Sequence, residues 1–226
     1  MFPVVLKIQY QKGGFMRNGL FIVIEGIDGC GKTTQINLLK QEYKDAVFVR
    51  EPGGTAIGND IRHLLFNNID KIDPMTEVLL FIASRAELVN TVIKPNLSAG
   101  KIVIADRFTL SSEIYQGIAL NKRKEIQQIN NIVIDGLIPD RVFILGLAHR
   151  DYQARIKARN NEKDSIENKY SRVSKQLCEA YLDSGYSNLD LYEVVDALLP
   201  PKDVFKIISE YIASKKNKLI PFKCRV

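Results

Sequence analysis

Cysteine is scarce in this sequence, and long apolar runs are absent from it. Cys30, Cys178 and Cys224 are odd in number and lack metal-ligand spacing, so they predict neither a disulfide framework nor a zinc site and fit a reducing compartment. No uninterrupted apolar stretch approaches the roughly 18 residues that a membrane helix needs. We therefore expect a cytoplasmic protein with no membrane partner.

Internal repeats and low-complexity linkers are also absent, which favours one large domain at a length of 226 residues. We place this domain at residues 16–214. Residues 1–15 lack the charged start and long apolar core of a secretory signal. They are either an N-terminal extension or a consequence of a misassigned start. The second interpretation, a start at Met16, is favoured because residues 12–14 (KGG) could be encoded by a purine-rich ribosome-binding sequence.

The charge balance is basic, with 32 Lys and Arg against 26 Asp and Glu and a net charge of +6. Such an excess suits a nucleic-acid binder or a protein that handles small polyanions. Part of it lies in a basic tail, residues 215–226, which we interpret as a solvated end. The chain lacks the interleaved basic and aromatic residues of single-strand binders, so we expect no nucleic-acid partner.

Short β-rich apolar runs alternate with longer amphipathic runs, a pattern typical of βαβ units. The predicted strands are residues 20–26, 46–50, 101–107, 141–147 and 192–197. The clearest predicted helices are residues 33–43, 60–66, 76–97, 166–183 and 202–213. The polar segment 160–169 is the best candidate for a mobile loop. The sequence thus predicts an α/β protein whose five-stranded parallel sheet is covered by helices on both faces.

A glycine-rich turn, EGIDGCGKTTQ, connects the first predicted strand to the first predicted helix. Gly26, Gly31, Lys32 and Thr33 match the G-x-x-x-x-G-K-[ST] pattern of the P-loop, in which backbone N–H groups and the helix start hold phosphates. Lys32 would bridge the terminal phosphates of ATP, and the Thr33 hydroxyl would ligate Mg²⁺. The predicted ATP-binding residues of the loop are Gly26, Ile27, Asp28, Gly29, Cys30, Gly31, Lys32, Thr33 and Thr34. This motif predicts a three-layer P-loop fold.

The P-loop does not identify the phosphate acceptor, because kinases, GTPases and several kinds of ATPase share it. The segment IVIADRF places Asp106 and Arg107 at the carboxyl end of the third strand, where ligands of open α/β folds bind. Asp106 is suited to the Mg²⁺ shell and Arg107 to a phosphate. A surface ion pair is the alternative interpretation.

Four segments in this order, FIVIEGIDGCGKTTQ, VREPGGTAIGNDIR, LLFIASRAELV and DRFTLSSEIYQG, resemble thymidylate kinases. These are P-loop enzymes that phosphorylate thymidine monophosphate (dTMP) with ATP and Mg²⁺. The resemblance extends from Phe21 to about Ala213. It implies conversion of dTMP to dTDP in dTTP biosynthesis, and a homodimer.

The resemblance also implies roles for residues of an acceptor site. Phe81 matches a ring that stacks on thymine, and Arg85 matches an arginine that hydrogen-bonds the base. The i, i+4 spacing of these two predicts one shared helix face. Ser112 and Gln116 match positions that line the base pocket, and Tyr115 matches a ring packed against the sugar.

Charged positions complete the implied site. Asp28 matches an acid that meets the sugar 3′-hydroxyl and helps to organise the metal, with Thr33 and Asp106 as the predicted metal ligands. Arg62 and Arg107 match arginines that reach the acceptor phosphate. Glu51 fits a position near that phosphate and the metal. The predicted catalytic residues are Lys32, Arg107, Arg159 and Asp28.

Arg159 enters this set because the P-loop has Gly29 and Cys30 at its centre rather than an arginine. Family members of that kind supply cations from a closing lid, which corresponds here to residues of about 155–168. Arg155 is expected against the adenine of ATP and Arg159 at the transferring phosphoryl group, with i, i+4 spacing on one helix face. The alternatives for the catalytic cation are Lys157 and Lys163.

Several positions depart from the family pattern. Gly146, His149 and Ser165 stand where Asp, Pro and Arg are usual, and Cys30 stands where Ala or Ser is common. Cys30 is either a small filler or a thiol whose pKa is depressed by the helix start. Two rival functions remain at this level: another P-loop nucleoside or nucleotide kinase, and a P-loop ATPase that binds DNA.

Overall fold

The computed structural model describes residues 15, 17–159 and 164–219. Residues 1–14, Met16, Lys163 and residues 220–226 lie outside this part of the chain, so the interpretation of the start at Met1 or Met16 is not addressed by it. The strands are β1 (Leu20–Glu25), β2 (Val47–Arg50), β3 (Ile102–Asp106), β4 (Arg141–Gly146) and β5 (Tyr192–Asp196). The α-helices are α1 (Lys32–Glu42), α2 (Ala56–Asn68), α3 (Pro74–Leu88), α4 (Lys94–Ser98), α5 (Thr109–Leu120), α6 (Arg123–Ile134), α7 (His149–Ala158), α8 (Ser165–Tyr170), α9 (Ser174–Ser187) and α10 (Pro201–Leu219).

The five strands form one parallel sheet in the order β2-β3-β1-β4-β5. Every predicted strand is confirmed, with boundaries that differ by one residue at most. Because parallel strands are joined by crossovers that place helices on the sheet faces, the central strand reads as a continuous apolar run, LFIVI. Its residues are at most 3% exposed. The sequence pattern and the topology therefore agree.

Helices cover both faces of the sheet. Helices α1 and α10 pack against each other, α1 on β3 and α10 on β1, whereas α9 packs on β4, β5 and α5. Helices α2, α3 and α6 extend this second group away from the sheet. Within the described ranges, no helix has the length and apolar character needed to cross a membrane.

The long helix predicted over residues 76–97 is interrupted. Helix α3 ends at Leu88, one wide π-helical turn covers Val89–Ile93, and α4 begins at Lys94. Pro95 follows at once, and since proline has no backbone N–H it removes one rung of the α-helical ladder. The interruption is therefore local, and the chain continues in nearly the same direction.

Other helix boundaries also differ from the prediction: the helix predicted over residues 60–66 spans Ala56–Asn68, and the one predicted over 166–183 is divided by a 3-10 turn at Ser171–Val173. The proposed loop over residues 160–169 is wrong for its second half, because α8 starts at Ser165 and is capped by Asp164 and Glu167 in a reciprocal capping box. Residues 160–163 lie outside the described part. The last helix extends through Leu219, so the beginning of the predicted basic tail is helical.

Candidate functional site: two clefts around the phosphate loop

The glycine-rich turn wraps the carboxyl end of β1 and passes directly into α1. Gly26, Gly29 and Gly31 have φ values of 141°, 78° and 110°, a region that side chains with a Cβ rarely adopt. Lys32 is buried, and its Nζ donates to the carbonyl oxygens of Gly26 and Ile27 at 2.9 and 3.0 Å. The loop thus forms a concave turn with one ammonium group in it, as phosphate binding requires.

Cys30 fills the back of this loop. A Cβ on Gly26 would lie 2.6 Å from Cys30 Sγ and 2.9 Å from Leu145 O, so the thiol occupies the space left by the glycine. The side chain is 2% exposed, and burial raises the pKa of the Cys30 thiol despite the nearby Lys32 ammonium. Burial therefore outweighs the Lys32 charge and favours the interpretation of Cys30 as a small filler over that of a reactive thiol.

A groove of about 870 Å³, open to solvent, lies on the outer side of the loop; we call it the outer groove. It is lined by Gly29, Gly31, Thr34, Arg155 and residues 197–201, among others. Arg155 crosses the groove: its guanidinium donates to Cys30 O at 3.0 Å and to Ala197 O. Five of the ten predicted ATP-binding residues line this groove: Gly29, Cys30, Gly31, Thr34 and Arg155.

A second cleft, the arginine cleft, includes Asp28 in its lining. It encloses about 520 Å³, which includes space open to solvent and falls in the usual range for small-ligand sites. Its wall is built by the carboxyl ends of β1, β2 and β3 and by α2, α3 and α5. The lining residues are Asp28, Arg50, Glu51, Pro52, Arg62, Phe66, Phe81, Arg85, Arg107, Ser111, Ser112, Tyr115, Gln116, Asp164 and Ile166. All nine predicted substrate-binding residues are in this set.

Three arginines give the mouth of the cleft a positive charge: Arg50, Arg62 and Arg107. Burial lowers the pKa of Arg62, and repulsion from the positive charge of Arg50 lowers it further. Arg62 is held by donation to Pro52 O at 3.0 Å and by the Phe66 ring, whose centroid lies 4.2 Å away. Several positive charges close together at the carboxyl edge of the sheet favour the binding of an anionic ligand. The sequence reasoning missed Arg50, although its position at the end of β2 was available as a signal.

Arg107 has an unusual backbone conformation for a non-glycine residue, with φ of 75°. This turn directs its guanidinium back over the loop, where it donates to the Asp28 carboxylate and to Ser111 Oγ at 2.9 Å. Tyr115 Oη donates to Asp28 Oδ2 at 2.7 Å. Burial alone would raise the pKa of Asp28, but the charges of Arg107 and Lys32 hold it far below its ordinary value. Asp28 is therefore an ionised group in the lining of the arginine cleft.

Arg85 forms the floor of the cleft and is only 1% exposed. Its Nε donates to Glu51 Oε2 at 2.7 Å, one terminal nitrogen donates to Asn130 Oδ1 at 2.6 Å, and the other donates to Phe108 O and Ser112 Oγ at 3.0 and 3.1 Å. A guanidinium has five N–H donors. Within the described residues this leaves a single N–H of Arg85 for a ligand, so most of its bonding capacity serves the fold.

Phe81 lies one turn before Arg85 on α3, and both line the cleft. The predicted shared face is confirmed. Phe81 is half-buried, so its ring remains available to a planar group, whereas Gln116 and Tyr115 are buried at 3% and 5% exposure on α5. The cleft therefore combines a ring, an amide and a guanidinium with a cluster of further cations.

The residues predicted to hold a metal fit a magnesium ion. Asp106 Oδ1 and Glu51 Oε1 are buried and have no hydrogen-bond partner among the described residues. The two follow adjacent strands, and Glu51 N donates to Asp106 O at 3.1 Å. The described residues contain no group of three or more His, Cys, Asp or Glu placed to hold a metal. Since Mg²⁺ is commonly bound by one or two carboxylates together with phosphate oxygens and water, this donor set suits it. Thr33 lies exposed at the start of α1.

The predicted placement of Arg155 and Arg159 on one helix face is wrong. Helix α7 ends at Ala158, and Arg159 has an extended conformation. Its guanidinium forms two hydrogen bonds to the Glu167 carboxylate, at 2.9 and 2.6 Å, whereas Arg155 reaches the outer groove. Lys157 is exposed on α7. Glu167 was not predicted as a site residue, because only its fold brings it near Asp28 and Tyr115.

The structure accounts for two of the departures from the family pattern. A Cβ at Gly146 would meet Leu182 Cδ2 and Val194 Cγ1 at 2.9 Å each, so neighbouring side chains fill the space that a larger residue would need. Ser165 Oγ donates to Phe66 O at 2.8 Å and attaches α8 to α2. His149 begins α7 without a side-chain cap, and its Nε2 lies 3.2 Å from Ser174 Oγ.

The parallel sheet, the phosphate loop and the two clefts beside it define a P-loop nucleotide-binding protein. The family model for thymidylate kinase matches residues 24–208. The thymidylate kinase of Thermosipho melanesiensis is 40% identical over 207 residues, which cover 89% of this chain and 97% of the relative. That of Caldanaerobacter subterraneus subsp. tengcongensis is 38% identical over 208 residues, covering 88% and 99%. The crystal structure of thymidylate kinase from Ehrlichia chaffeensis superimposes with a TM-score of 0.68 at 31% identity, covering 86% of this chain and 98% of that one. The chain belongs to the thymidylate kinase family, and the resemblance found in the sequence is confirmed.

Proposed function

We propose that this protein transfers the terminal phosphoryl group of ATP to the 5′-phosphate of dTMP, giving dTDP for dTTP biosynthesis. The observation that carries the proposal is the arginine cleft, which Phe81, Arg85 and Gln116 line together with Arg50, Arg62, Arg107 and Asp28 of the phosphate loop. The first three suit a planar base, and the other arginines suit a monophosphate. ATP then belongs in the outer groove, with Arg155 against its adenine.

The chemistry needs no nucleophilic side chain, because an oxygen of the acceptor phosphate attacks the terminal phosphorus of ATP. Phosphoryl transfer depends mainly on holding two repelling polyanions in line and neutralising their charge. Arg62 and Arg107 would hold the acceptor phosphate, and Lys32 would move from its loop carbonyls to the ATP phosphates. Asp28 would accept a hydrogen bond from the sugar 3′-hydroxyl.

A magnesium ion is part of this proposal. When bound, Mg²⁺ would neutralise charge on the ATP phosphates. Thr33 and Asp106 would be its protein ligands, and Glu51, with its unpaired Oε1, would lie at the edge of its shell.

Arg159 is proposed as the cation that stabilises the transferring phosphoryl group. In the structure it is bound by Glu167, which lies next to Asp28, Tyr115 and Tyr152 around a small internal space. A shift of this arginine from a carboxylate to a phosphate exchanges one anionic partner for another. The Glu167 contact therefore keeps the guanidinium close to the loop.

We further propose a cytoplasmic homodimer. Helices α2 and α3 pack against each other and expose Ile57, Leu64 and Leu79 by 56%, 47% and 50%. Apolar side chains grouped on two adjoining helices favour a protein partner, and a second copy of the chain is the simplest one. Light scattering on a size-exclusion column should give twice the mass of 25.6 kDa, and a monomer at micromolar concentration would contradict the dimer.

The activity is tested by measuring ADP release with ATP, Mg²⁺ and a panel of nucleoside monophosphates. We expect the highest kcat/KM for dTMP, a lower value for dUMP, and poor use of UMP, dCMP, GMP and AMP. Higher kcat/KM for another monophosphate would favour the rival nucleotide kinase. ATP hydrolysis without transfer would contradict a kinase function altogether.

A further inference from the structure

A buried carboxylate behind the arginine cleft has no part in the proposed chemistry. Glu77, on α3, is fully buried, and both of its oxygens are used. Oε1 accepts hydrogen bonds from Gln116 Nε2 at 2.8 Å and from Tyr170 Oη at 2.7 Å. Oε2 accepts from Lys169 Nζ, which also donates to Ile69 O at 3.2 Å. Glu77 thereby joins α3 and α5 of the cleft to α8.

These contacts determine which way the Gln116 amide points. A carboxylate paired with a lysine only accepts hydrogen bonds, so it selects the NH₂ side of the amide. Gln116 Nε2 also lies 3.4 Å from Tyr170 Oη, and that hydroxyl uses its own hydrogen for Glu77. Glu77 and Tyr170 therefore hold the nitrogen of the Gln116 amide on their own side. Within the described part of the chain Gln116 Oε1 accepts no hydrogen bond, and Gln116 lines the cleft.

We propose that Glu77 is a positioning residue that fixes the Gln116 amide with its oxygen toward the base, so that the cleft selects a pyrimidine carrying an N–H on its pairing edge. Thymine and uracil have such a donor at ring N3, whereas cytosine has an acceptor there. Glu77 thus contributes to the choice of base without touching it. The inference rests on the proposed function, because it takes a pyrimidine monophosphate as the ligand of the arginine cleft.

The hydrogen-bond chain predicts an unusual result for the variant Glu77→Gln. Lys169 can only donate, so it would take the oxygen of the new amide and turn the NH₂ of that amide toward Gln116. Gln116 would then rotate and present its own NH₂ to the base. We expect the Kd for dTMP to rise about tenfold through the loss of one hydrogen bond and the opposition of two donors. The ratio of the Kd values for dCMP and dTMP should fall by at least about tenfold for the same reason.

A matched double variant separates orientation from general damage. In Glu77→Gln with Lys169→Met, nothing forces the new amide oxygen toward α8, so it can again accept from Gln116 and restore the wild-type ratio. In Glu77→Met with Lys169→Met, residue 77 offers no acceptor, and the ratio should stay low. Both doubles remove the buried charges together, which is far less costly than removing one partner.

The experiment measures Kd for dTMP and dCMP by titration calorimetry on the full-length wild type and these variants, with melting temperatures to confirm folding. The kcat at saturating dTMP should fall less than about threefold in Glu77→Gln, because Glu77 does not reach the phosphate loop. A wild-type ratio in the double Glu77→Met variant would overturn the inference, even if Glu77→Gln alone does not fold. An equally low ratio in both doubles would overturn it as well. Absence of dTMP turnover in the wild type would instead contradict the proposed function, whereas the Kd ratios need no turnover.

Discussion

The variant Arg85→Ala tests whether the Arg85 side chain stabilises the folded protein in addition to binding the base. In Arg85→Ala, the buried Glu51 carboxylate loses the cation 2.6 Å away, and Asn130, Phe108 O and Ser112 lose a donor. Loss of one partner of a buried ion pair costs about 3–5 kcal/mol, because the other charge stays behind. We expect a loss of this size in the free energy of unfolding at neutral pH, a large fraction of the roughly 5–15 kcal/mol of a typical domain.

The loss should depend on pH. Burial raises the pKa of Glu51 above its ordinary value of 4.5, and Arg85 opposes that rise. Without Arg85 the pKa rises further. A carboxyl group whose pKa is raised by folding contributes stability that is complete below its unfolded pKa and is lost as the pH rises through its folded pKa. The stability difference between wild type and Arg85→Ala should therefore be smaller at pH 5 than at pH 8.

Urea denaturation followed by circular dichroism at these two pH values measures the difference. The double variant Arg85→Ala with Glu51→Gln has no buried carboxylate, so its stability loss should be smaller and nearly independent of pH. Arg150→Ala is the matched control, since Arg150 is 91% exposed and should change stability by no more than about 0.5 kcal/mol. Equal stability losses at both pH values, or a double variant no more stable than Arg85→Ala, would show that the unpaired Glu51 carboxylate is not the cause of the loss.

Four further predictions concern the phosphate loop, the lid and the buried thiols. Lys32→Ala should lower kcat by about 10²-fold or more while the protein stays folded, because its charge is needed most as transfer proceeds; near-wild-type kcat would contradict the role. Arg159→Ala should lower kcat by about 10³-fold with little change in the KM for dTMP, whereas an unchanged kcat, or a rise in that KM alone, would remove Arg159 from the catalytic set. Arg155→Ala should mainly raise the KM for ATP, and an effect confined to dTMP would place Arg155 elsewhere. Cys30 and Cys178 are buried with raised thiol pKa values, to about 11 for Cys178, so both should resist iodoacetamide at pH 7.5 in the folded protein; rapid labelling seen by mass spectrometry would argue against these environments.

The sequence predicted the sheet well because each strand carries its own signal. Buried parallel strands are short apolar runs, and the runs of β1 and β4 are bounded by polar or glycine residues. Helix boundaries were predicted less well. The apolar periodicity continues through the π-helical turn at Val89–Ile93 and Pro95, so it did not predict the division there. The Asp164 cap that starts α8 lies in a polar stretch that was interpreted as a loop.

Among the site residues, those in local motifs were predicted most completely. The P-loop needs consecutive residues and one strand-to-helix turn, so its geometry follows from the sequence order. Glu77 and Glu167 were missed because their importance depends on contacts made only in the folded protein, whereas Arg50 was missed although its position at the end of β2 was a usable signal. Glu77 meets Gln116 across 39 residues and Lys169 across 92, and no pattern within a single helix indicates such contacts.

The sequence by itself determined the P-loop, the parallel α/β sheet and the family of this protein, since all three are encoded in neighbouring residues and in their order. Only the tertiary structure decided which side chains are buried and which partners the charged side chains bind. Arg85 gives nearly all of its donors to the fold, Cys30 is a buried filler, and Arg159 leaves its helix to bind Glu167. The physical reason is that burial and pairing are properties of three-dimensional neighbourhoods. Desolvation and the nearest opposite charge set the state of each group, and both depend on how the chain folds, as when Arg85 meets Glu51 across 34 residues.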